Sequence, residues 1–352
     1  MNNILIVFGT RPEVIKLYPL IKSLGKYASF RTVFTGQHAE LTNQILLDLK
    51  IQPNYRLEIM KKGQSLTELT SKLHEQLNEI YKKEKPDLVI VQGDTTTALV
   101  GALEAYYNHI PVAHVEAGVR SHNIYAPFPE EVNRRIISSF ASYHFCPTED
   151  EKSNLEKENI IKNVFVTGNT GIDTLLEISN KTISTSKCQV LTTLHRRESF
   201  GKPIQSILDG LDKLLKSNPE WKMVIPVHLN PGVKDVIYNK FGKNPQVKLL
   251  QPLSYTQMVK LMMESAFIIT DSGGIQEEAP SLNKPVLVAR NETDRPQTIL
   301  NHSALLVGTD GEKIFELGNR LINDRKFYES FINKNNPYGD GHAGERIIAN
   351  LL

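Results

Sequence analysis

Four carboxylates set the chemistry open to this chain. Asp94 in QGDTTTA (92–98), Glu116 in AHVEAGVRS (113–121), and Glu130 and Glu131 in PFPEEVNRR (127–135) fall near the ends of successive strand-like runs. In an open parallel α/β sheet the carboxyl ends of the strands face one crevice, so acidic groups delivered there converge on a ligand. Several carboxylates around one ligand read as general acids and bases. Any one of them taken alone also reads as a helix cap or a solvated charge.

Three further segments carry groups suited to an anion. The turn FGTRPE at 8–13 lacks the GxGxxG pattern, so a bound NAD is not expected. Gly9 suits a tight turn, Pro12 a first helical position, and Arg11 then stands at the sheet edge, where a guanidinium takes a phosphate or carboxylate. The alternative is a surface pair between Arg11 and Glu13. The segment FIITDSGGIQEEAP (267–280) reads as strand, glycine turn and helix. Ser272, Gly273 and Gly274 would offer N–H groups and a hydroxyl to a diphosphate, and Glu278, one turn on, would suit a ribose diol. Glycine turns of this kind also occur without any ligand.

His195, in TTLHRRES (192–199), follows the first strand of the second half of the chain. Arg196 and Arg197 beside it favour a neutral imidazole, whereas a bound diphosphate favours the protonated form, which would make His195 a ligand-coupled acid. A structural hydrogen-bonding role is the alternative. His38, His114 and His228 are weaker candidates. No HExxH pattern and no closely spaced His/Asp set argues for a metal.

Positioning these groups takes a regular scaffold. Apolar runs at 4–8, 31–35, 87–91, 111–115, 143–146 and 164–167 alternate with helix-like stretches, and a second series follows at 189–194, 222–227, 247–250, 266–270, 285–289 and 304–308. Such β/α repeats predict parallel sheets in two similar halves. A length of 352 residues also favours two cores over one. The polar stretch ISNKTISTSK predicts a linker at 178–187, between an N-terminal domain over 1–177 and a C-terminal domain over 188–333. The stretch 311–333 reads as helical, and 334–352 holds the turn formers NNPYGDG and a final helix expected to pack back on the first domain.

The formal charge of +2, left from 41 basic and 39 acidic residues, offers no field for nucleic acid or an anionic membrane, so the expected partner is a small molecule. Cys146 and Cys188 lie in apolar runs without CxxC spacing and read as reduced core thiols of a cytosolic protein. The apolar run NNILIVF is interrupted so soon by Gly9, Arg11 and Glu13 that it predicts neither a signal peptide nor a membrane span.

The segments GTRPE with Lys16, TGQH, QGDTTT, HVEAG, PEEVNR, PTE, VTGNT, HRRESFG, VHLNP, TDSGGIQEEAPSL, NKPVL, RP at 295–296, VGT and NPYGDG succeed one another over nearly the whole chain. In that order they resemble the non-hydrolysing bacterial UDP-N-acetylglucosamine 2-epimerases. The resemblance implies an α/β fold of two Rossmann-like domains with a deep interdomain cleft, of the glycosyltransferase-B type. It also implies a cytoplasmic homodimer that supplies UDP-N-acetylmannosamine for surface polysaccharides. Fold alone would not license that function.

Carried over residue by residue, the resemblance assigns Asp94, Glu116 and Glu130 to acid/base work at the sugar and His195 to the diphosphate leaving group. Arg11, Lys16, Ser272, Gly273, Gly274, Glu278 and Arg295 would hold UDP. The implied reaction is reversible inversion at C2 through elimination of UDP to 2-acetamidoglucal and readdition, with no cofactor or metal. Three other readings remain at this point: an epimerase acting on another UDP-2-acetamido sugar, a hydrolysing variant that releases N-acetylmannosamine, and a non-catalytic nucleotide-sugar sensor. The three carboxylates together weigh against the sensor. Two departures stand out. Leu194 precedes His195 where the family commonly has Gly. Gln37 and His228 match residues with which many members hold a second UDP-N-acetylglucosamine as activator, but Gly63 replaces their Arg, so weak or absent activation is expected.

Overall fold

Strands buried on both faces need continuous apolar runs, and the first run provides one: in β1 (Asn3–Phe8), Ile4 through Phe8 are all buried. The computed structural model describes residues 3–37, 39–61, 63–180, 188–196, 201–293, 295–332 and 334–352. They form two units: Met1–Thr174 with Tyr338–Leu352, and Leu175–Pro337. Most of the expected linker, residues 181–187, lies outside the described residues.

The first unit is built on a parallel sheet of β1, β2 (Ser29–Phe34), β3 (Tyr55–Arg56), β4 (Leu88–Gln92), β5 (Val112–Val115), β6 (Tyr143–Cys146) and β7 (Val164–Val166). Its order is β3-β2-β1-β4-β5-β6-β7. The chain leaves β1 toward β2 on one side and later returns to β1's other edge as β4, which makes the β1/β4 pair the switch point of a doubly wound sheet. Helices α1 (Arg11–Ser23), α2 (Ala39–Asp48), α3 (Leu66–Glu84), α4 (Thr96–Tyr107), α5 (Glu130–Phe140) and α6 (Glu149–Lys157) connect the strands, and α7 (Thr170–Ser179) follows β7, with the boundary between the units falling inside it. Leu69, Leu73, Leu77 and Ile80 of α3 pack with Val89 and Val91 of β4 and Ala98, Ala102 and Ala105 of α4 in one buried cluster.

The second unit repeats the plan with β8 (Gln189–Thr193), β9 (Lys222–Pro226), β10 (Val247–Leu250), β11 (Phe267–Thr270), β12 (Val286–Val288) and β13 (Ala304–Leu306). Here the order β10-β9-β8-β11-β12-β13 puts the switch point at β8/β11. Its helices are α8 (Lys202–Ser217), α9 (Pro231–Phe241), α10 (Tyr255–Glu264), α11 (Gly273–Glu278), α12 (Pro296–Leu300), α13 (Gly311–Asn323) and α14 (Arg325–Glu329). The helical stretch expected over 311–333 is therefore two helices. Asp324 adopts an extended ψ of 96° and its carboxylate accepts from the Phe327 N–H, so it ends α13 and caps α14.

The last helix, α15 (Ala343–Leu351), belongs to the first unit and lies against α1. Asp173 accepts from the N–H groups of Ala343 and Gly344, satisfying donors at its start. Of the two cysteines only Cys146 is a core thiol, pushed up to about 12 by burial, while Cys188 is exposed. Among the described residues no helix is long and apolar enough to cross a membrane.

Candidate functional site

At the first switch point β1 delivers Gly9, Thr10 and Arg11, and β4 delivers Gly93, Asp94 and Thr95. Glu13 joins the two turns. One of its oxygens accepts from the N–H groups of Gly9 (2.9 Å) and Thr10 (2.7 Å) and from the Thr10 hydroxyl (2.8 Å), and the other accepts from the Thr95 hydroxyl (2.7 Å). Burial raises the Glu13 pKa, and these donors oppose the rise. The surface pair between Arg11 and Glu13 thus does not form. Arg11 is the first helical residue, one position ahead of Pro12, and its side chain has no ion-pair partner among the described residues. Gly9 matters for space: a Cβ there would meet the hydroxyls of Thr35 and Thr97.

The carboxylates sit beside this frame. Asp94 follows β4, and its Oδ2 pairs with Arg134 Nη2 at 2.5 Å. Burial pushes its carboxyl up to about 6; Arg134 opposes this most, Glu116 adds to it, Lys16 opposes it and Glu130 adds to it. Glu116 follows β5 in a left-handed conformation (φ 65°), which costs a non-glycine residue roughly 1–3 kcal/mol and is typical of functional sites. Its Oε1 pairs with Lys16 Nζ at 2.5 Å, and its Oε2 accepts from Gln92 Nε2.

Glu130 and Glu131 do not follow a strand: they open α5. Their tasks diverge. Glu131 is fully buried and accepts from the Ser121 N–H (2.9 Å) and Arg135 Nε (2.9 Å), with Arg134 Nη1 at 3.6 Å. Glu130 Oε2 is buried with no hydrogen-bond partner among the described residues. An orphaned buried acceptor is costly, and its persistence points to a ligand. Arg134, Glu116, Lys16 and Glu130 all act electrostatically on Asp94, which makes it the centre of the cluster.

At the second switch point β8 leads to His195 and β11 to Asp271. Asp271 is fully buried and accepts from His195 Nδ1 (2.8 Å), from the His195 N–H (2.9 Å) and from the Arg196 N–H (2.8 Å). Nδ1 thus carries the proton toward the carboxylate, and Nε2 is left for a ligand. Leu194 fills the core of this unit, so Asp271 sets the direction of the imidazole. Arg197 lies outside the described residues.

Ser272, Gly273 and Gly274 start α11, a helix of six residues. Among the described residues, a Cβ on Gly274 would have only the Ser272 hydroxyl near it, at 4.0 Å. The adjacent acids separate. Glu277 pairs with Arg295 Nε, and Glu278 accepts from the Tyr255 hydroxyl at 2.9 Å. Asn336 donates to the Glu277 carbonyl (2.7 Å) and the Ser281 hydroxyl (2.7 Å).

Of the two expected effector groups, His228 is exposed with its ring 6.0 Å from that of His195, and Gln37, in the first unit, accepts from the Thr97 N–H and hydroxyl. Gly63 has φ 77°, and a Cβ there would meet nothing within 4 Å among the described residues; His38 lies outside them. No group of three or more metal-binding side chains occurs among the described residues. Three residues central to this geometry, Arg134, Asp271 and Glu277, were not among the expected site residues, and Glu13 was expected only as a surface partner of Arg11. Asp271 offered a signal, as an acid between a strand and a glycine turn.

A family model described as UDP-N-acetylglucosamine 2-epimerase matches residues 23–352. The UDP-N-acetylglucosamine 2-epimerase of Yersinia pestis is 43% identical over 367 residues, covering 99% of this chain and 98% of that protein. The crystal structure of UDP-GlcNAc 2-epimerase from Neisseria meningitidis bound to UDP-GlcNAc is similar at a TM-score of 0.88 and 42% identity, covering 99% of each chain. That of the Methanocaldococcus jannaschii enzyme in complex with UDP-GlcNAc and UDP is similar at a TM-score of 0.78 and 34% identity, again over 99% of each. Matched along nearly its whole length in sequence and in fold, the chain belongs to the UDP-N-acetylglucosamine 2-epimerase family and is an isomerase.

Proposed function

We propose that the enzyme interconverts UDP-N-acetylglucosamine and UDP-N-acetylmannosamine by elimination and readdition, without net hydrolysis. The C2 hydrogen has no adjacent carbonyl to acidify it, so its removal must accompany C1–O cleavage. A carboxylate takes the C2 proton as the C1–O bond breaks, giving UDP and 2-acetamidoglucal. Readdition of UDP at C1, with protonation of C2 from the other face, inverts the centre. Bases are needed on both faces, and Asp94, Glu116 and Glu130 are assigned to them. The observation that carries this reading is Asp94: its carboxyl, at about 6, exchanges a proton near neutrality beside two other carboxylates.

The second unit is assigned the nucleotide. His195, fixed by Asp271, would serve the departing diphosphate, with the Ser272–Gly273–Gly274 turn and Arg295. Glu278 would take the ribose, and Arg11 and Lys16 would add positive charge from the first unit. The scheme calls for neither metal nor redox cofactor. The Neisseria meningitidis relative's bound UDP-GlcNAc supports the choice of substrate. We further propose a cytoplasmic homodimer with weak or absent activation by UDP-N-acetylglucosamine; sedimentation equilibrium tests the dimer, and turnover from pure UDP-N-acetylmannosamine tests the activation. Turnover in D2O examines the reaction path. Deuterium should appear at C2 of the product, and product without it would rule the path out.

A further inference from the structure

The turn that presents Asp94 has its polar groups held from three elements, β5, α5 and α1. The Gly93 N–H donates to the Val115 carbonyl (3.0 Å), Asn133 Nδ2 donates to the Asp94 carbonyl (2.8 Å), and the Thr95 hydroxyl donates to Glu13 (2.7 Å). The Gly93 carbonyl is taken by His114 Nε2 at 2.7 Å. His114 is fully buried in β5, two residues before Glu116. Gly93 itself has φ 69°, and a Cβ there would lie 3.6 Å from Glu116 Oε2, so this turn rests against the second carboxylate.

We propose that His114 is a positioning residue for the epimerisation: its ring, bonded to the Gly93 carbonyl, sets the spacing between the Asp94 turn and the strand that ends in Glu116. A carbonyl only accepts, so Nε2 must carry the proton. Burial pushes the His114 pKa down to about 3; the Gly93 bond opposes this, and His144, Arg120 and Arg134 push the same way. The ring is therefore neutral wherever the enzyme works, with Nδ1 buried and unpartnered among the described residues. A permanently neutral donor can fix the turn without adding charge next to Arg134, which holds Asp94. Among the described residues, the titratable and charged groups that act most on the ring are His144 on β6, Arg120 after β5 and Arg134 on α5.

The proposal rests on the acid/base reading of Asp94, so Asp94→Asn is measured in parallel with His114→Leu and His114→Gln. His114→Leu should lower kcat about 10- to 100-fold, the scale of a small misplacement at a reacting centre. UDP affinity and KM should stay within about twofold, and the acid limb of the kcat profile near pH 6 should move. His114→Gln, whose amide can still donate, should recover most of kcat and the original limb. Wild-type kcat and limb in a folded His114→Leu, or a loss that Gln does not rescue with the limb unmoved, would overturn the proposal. Should neither variant fold, nitrogen-15 histidine NMR of the wild type decides: an Nε2–H tautomer unchanged from pH 5 to 9 supports it, and a titrating or Nδ1–H ring sinks it. Full turnover in Asp94→Asn would instead defeat the acid/base reading itself.

Discussion

Asp94 shows how one residue can trade stability for reactivity. Its carboxyl titrates at about 6 in the fold against an ordinary 3.8, chiefly because burial disfavours the charge. The folded chain thus holds this proton more tightly than the unfolded one. The stability gained from that is complete below pH 3.8 and is lost as the pH rises through 6. Asp94→Asn cannot ionise, so its melting temperature should fall less than that of the wild type between pH 4 and 7. Its turnover should drop about 10²–10⁴-fold with UDP binding intact, as for loss of a general acid or base. Turnover within a few-fold of wild type would remove Asp94 from the catalytic set. The wild-type kcat should decline below pH 6 if Asp94 serves as a base. Asp94 and Glu116 were legible in the sequence because carboxylates stand out at strand ends, whereas Glu130 opens a helix. Their supports were not legible. Glu13, Arg134 and Asp271 act through partners distant in sequence, Thr95, Asp94 and His195, and such pairings exist only after folding.

Among elements, the strands were the most legible, because sheets buried on both faces demand uninterrupted Val and Ile runs. Every expected run became a strand, with ends shifted by at most two residues. The strand β3 was missed since two residues, Tyr55 and Arg56, carry no periodicity. The break at Asp324 was missed because an Asp within a helical pattern reads as a surface charge until its side chain is seen to cap. Helix contacts were invisible for another reason: they depend on what is absent. Where α8 meets α13, a Cβ on Gly210 would strike the Gly311 carbonyl, and one on Gly311 would strike the Ser206 carbonyl. Backbone cannot move aside as a side chain can. Gly311→Ala should therefore destabilise the second unit by about 1–3 kcal/mol, the usual scale of overpacking. Urea unfolding followed by Trp221 fluorescence would measure it, and an unchanged midpoint would show that the helices can part at little cost.

For the whole molecule, the two sheets share one winding order, with Asp94 at the switch point of the first and His195 at that of the second. What breaks the likeness is the route of the chain, which leaves the first unit near Thr174 and returns to it at Tyr338. The returning segment is bound at several points. The Asn169 N–H donates to the Tyr338 carbonyl (2.7 Å), Arg346 Nη1 donates to the Thr167 carbonyl (3.2 Å), and Asp173 accepts from the start of α15. Ile347, Ile348 and Leu351 are buried. At about 1.5–3 kcal/mol for each such side chain, the three contribute roughly 4–9 kcal/mol before the entropy of ordering the helix is subtracted. That gross figure is comparable to the entire net stability of a typical domain, about 5–15 kcal/mol. A chain ending at residue 337 should therefore lose the first unit's cooperative melting transition and its turnover. The second unit, which contains His195, Asp271 and the glycine turn, has all of its strands before that point and should still bind UDP. Calorimetric melting with UDP titration separates the two outcomes. Turnover and a first-unit transition that survive the truncation would show that α15 is dispensable to the fold.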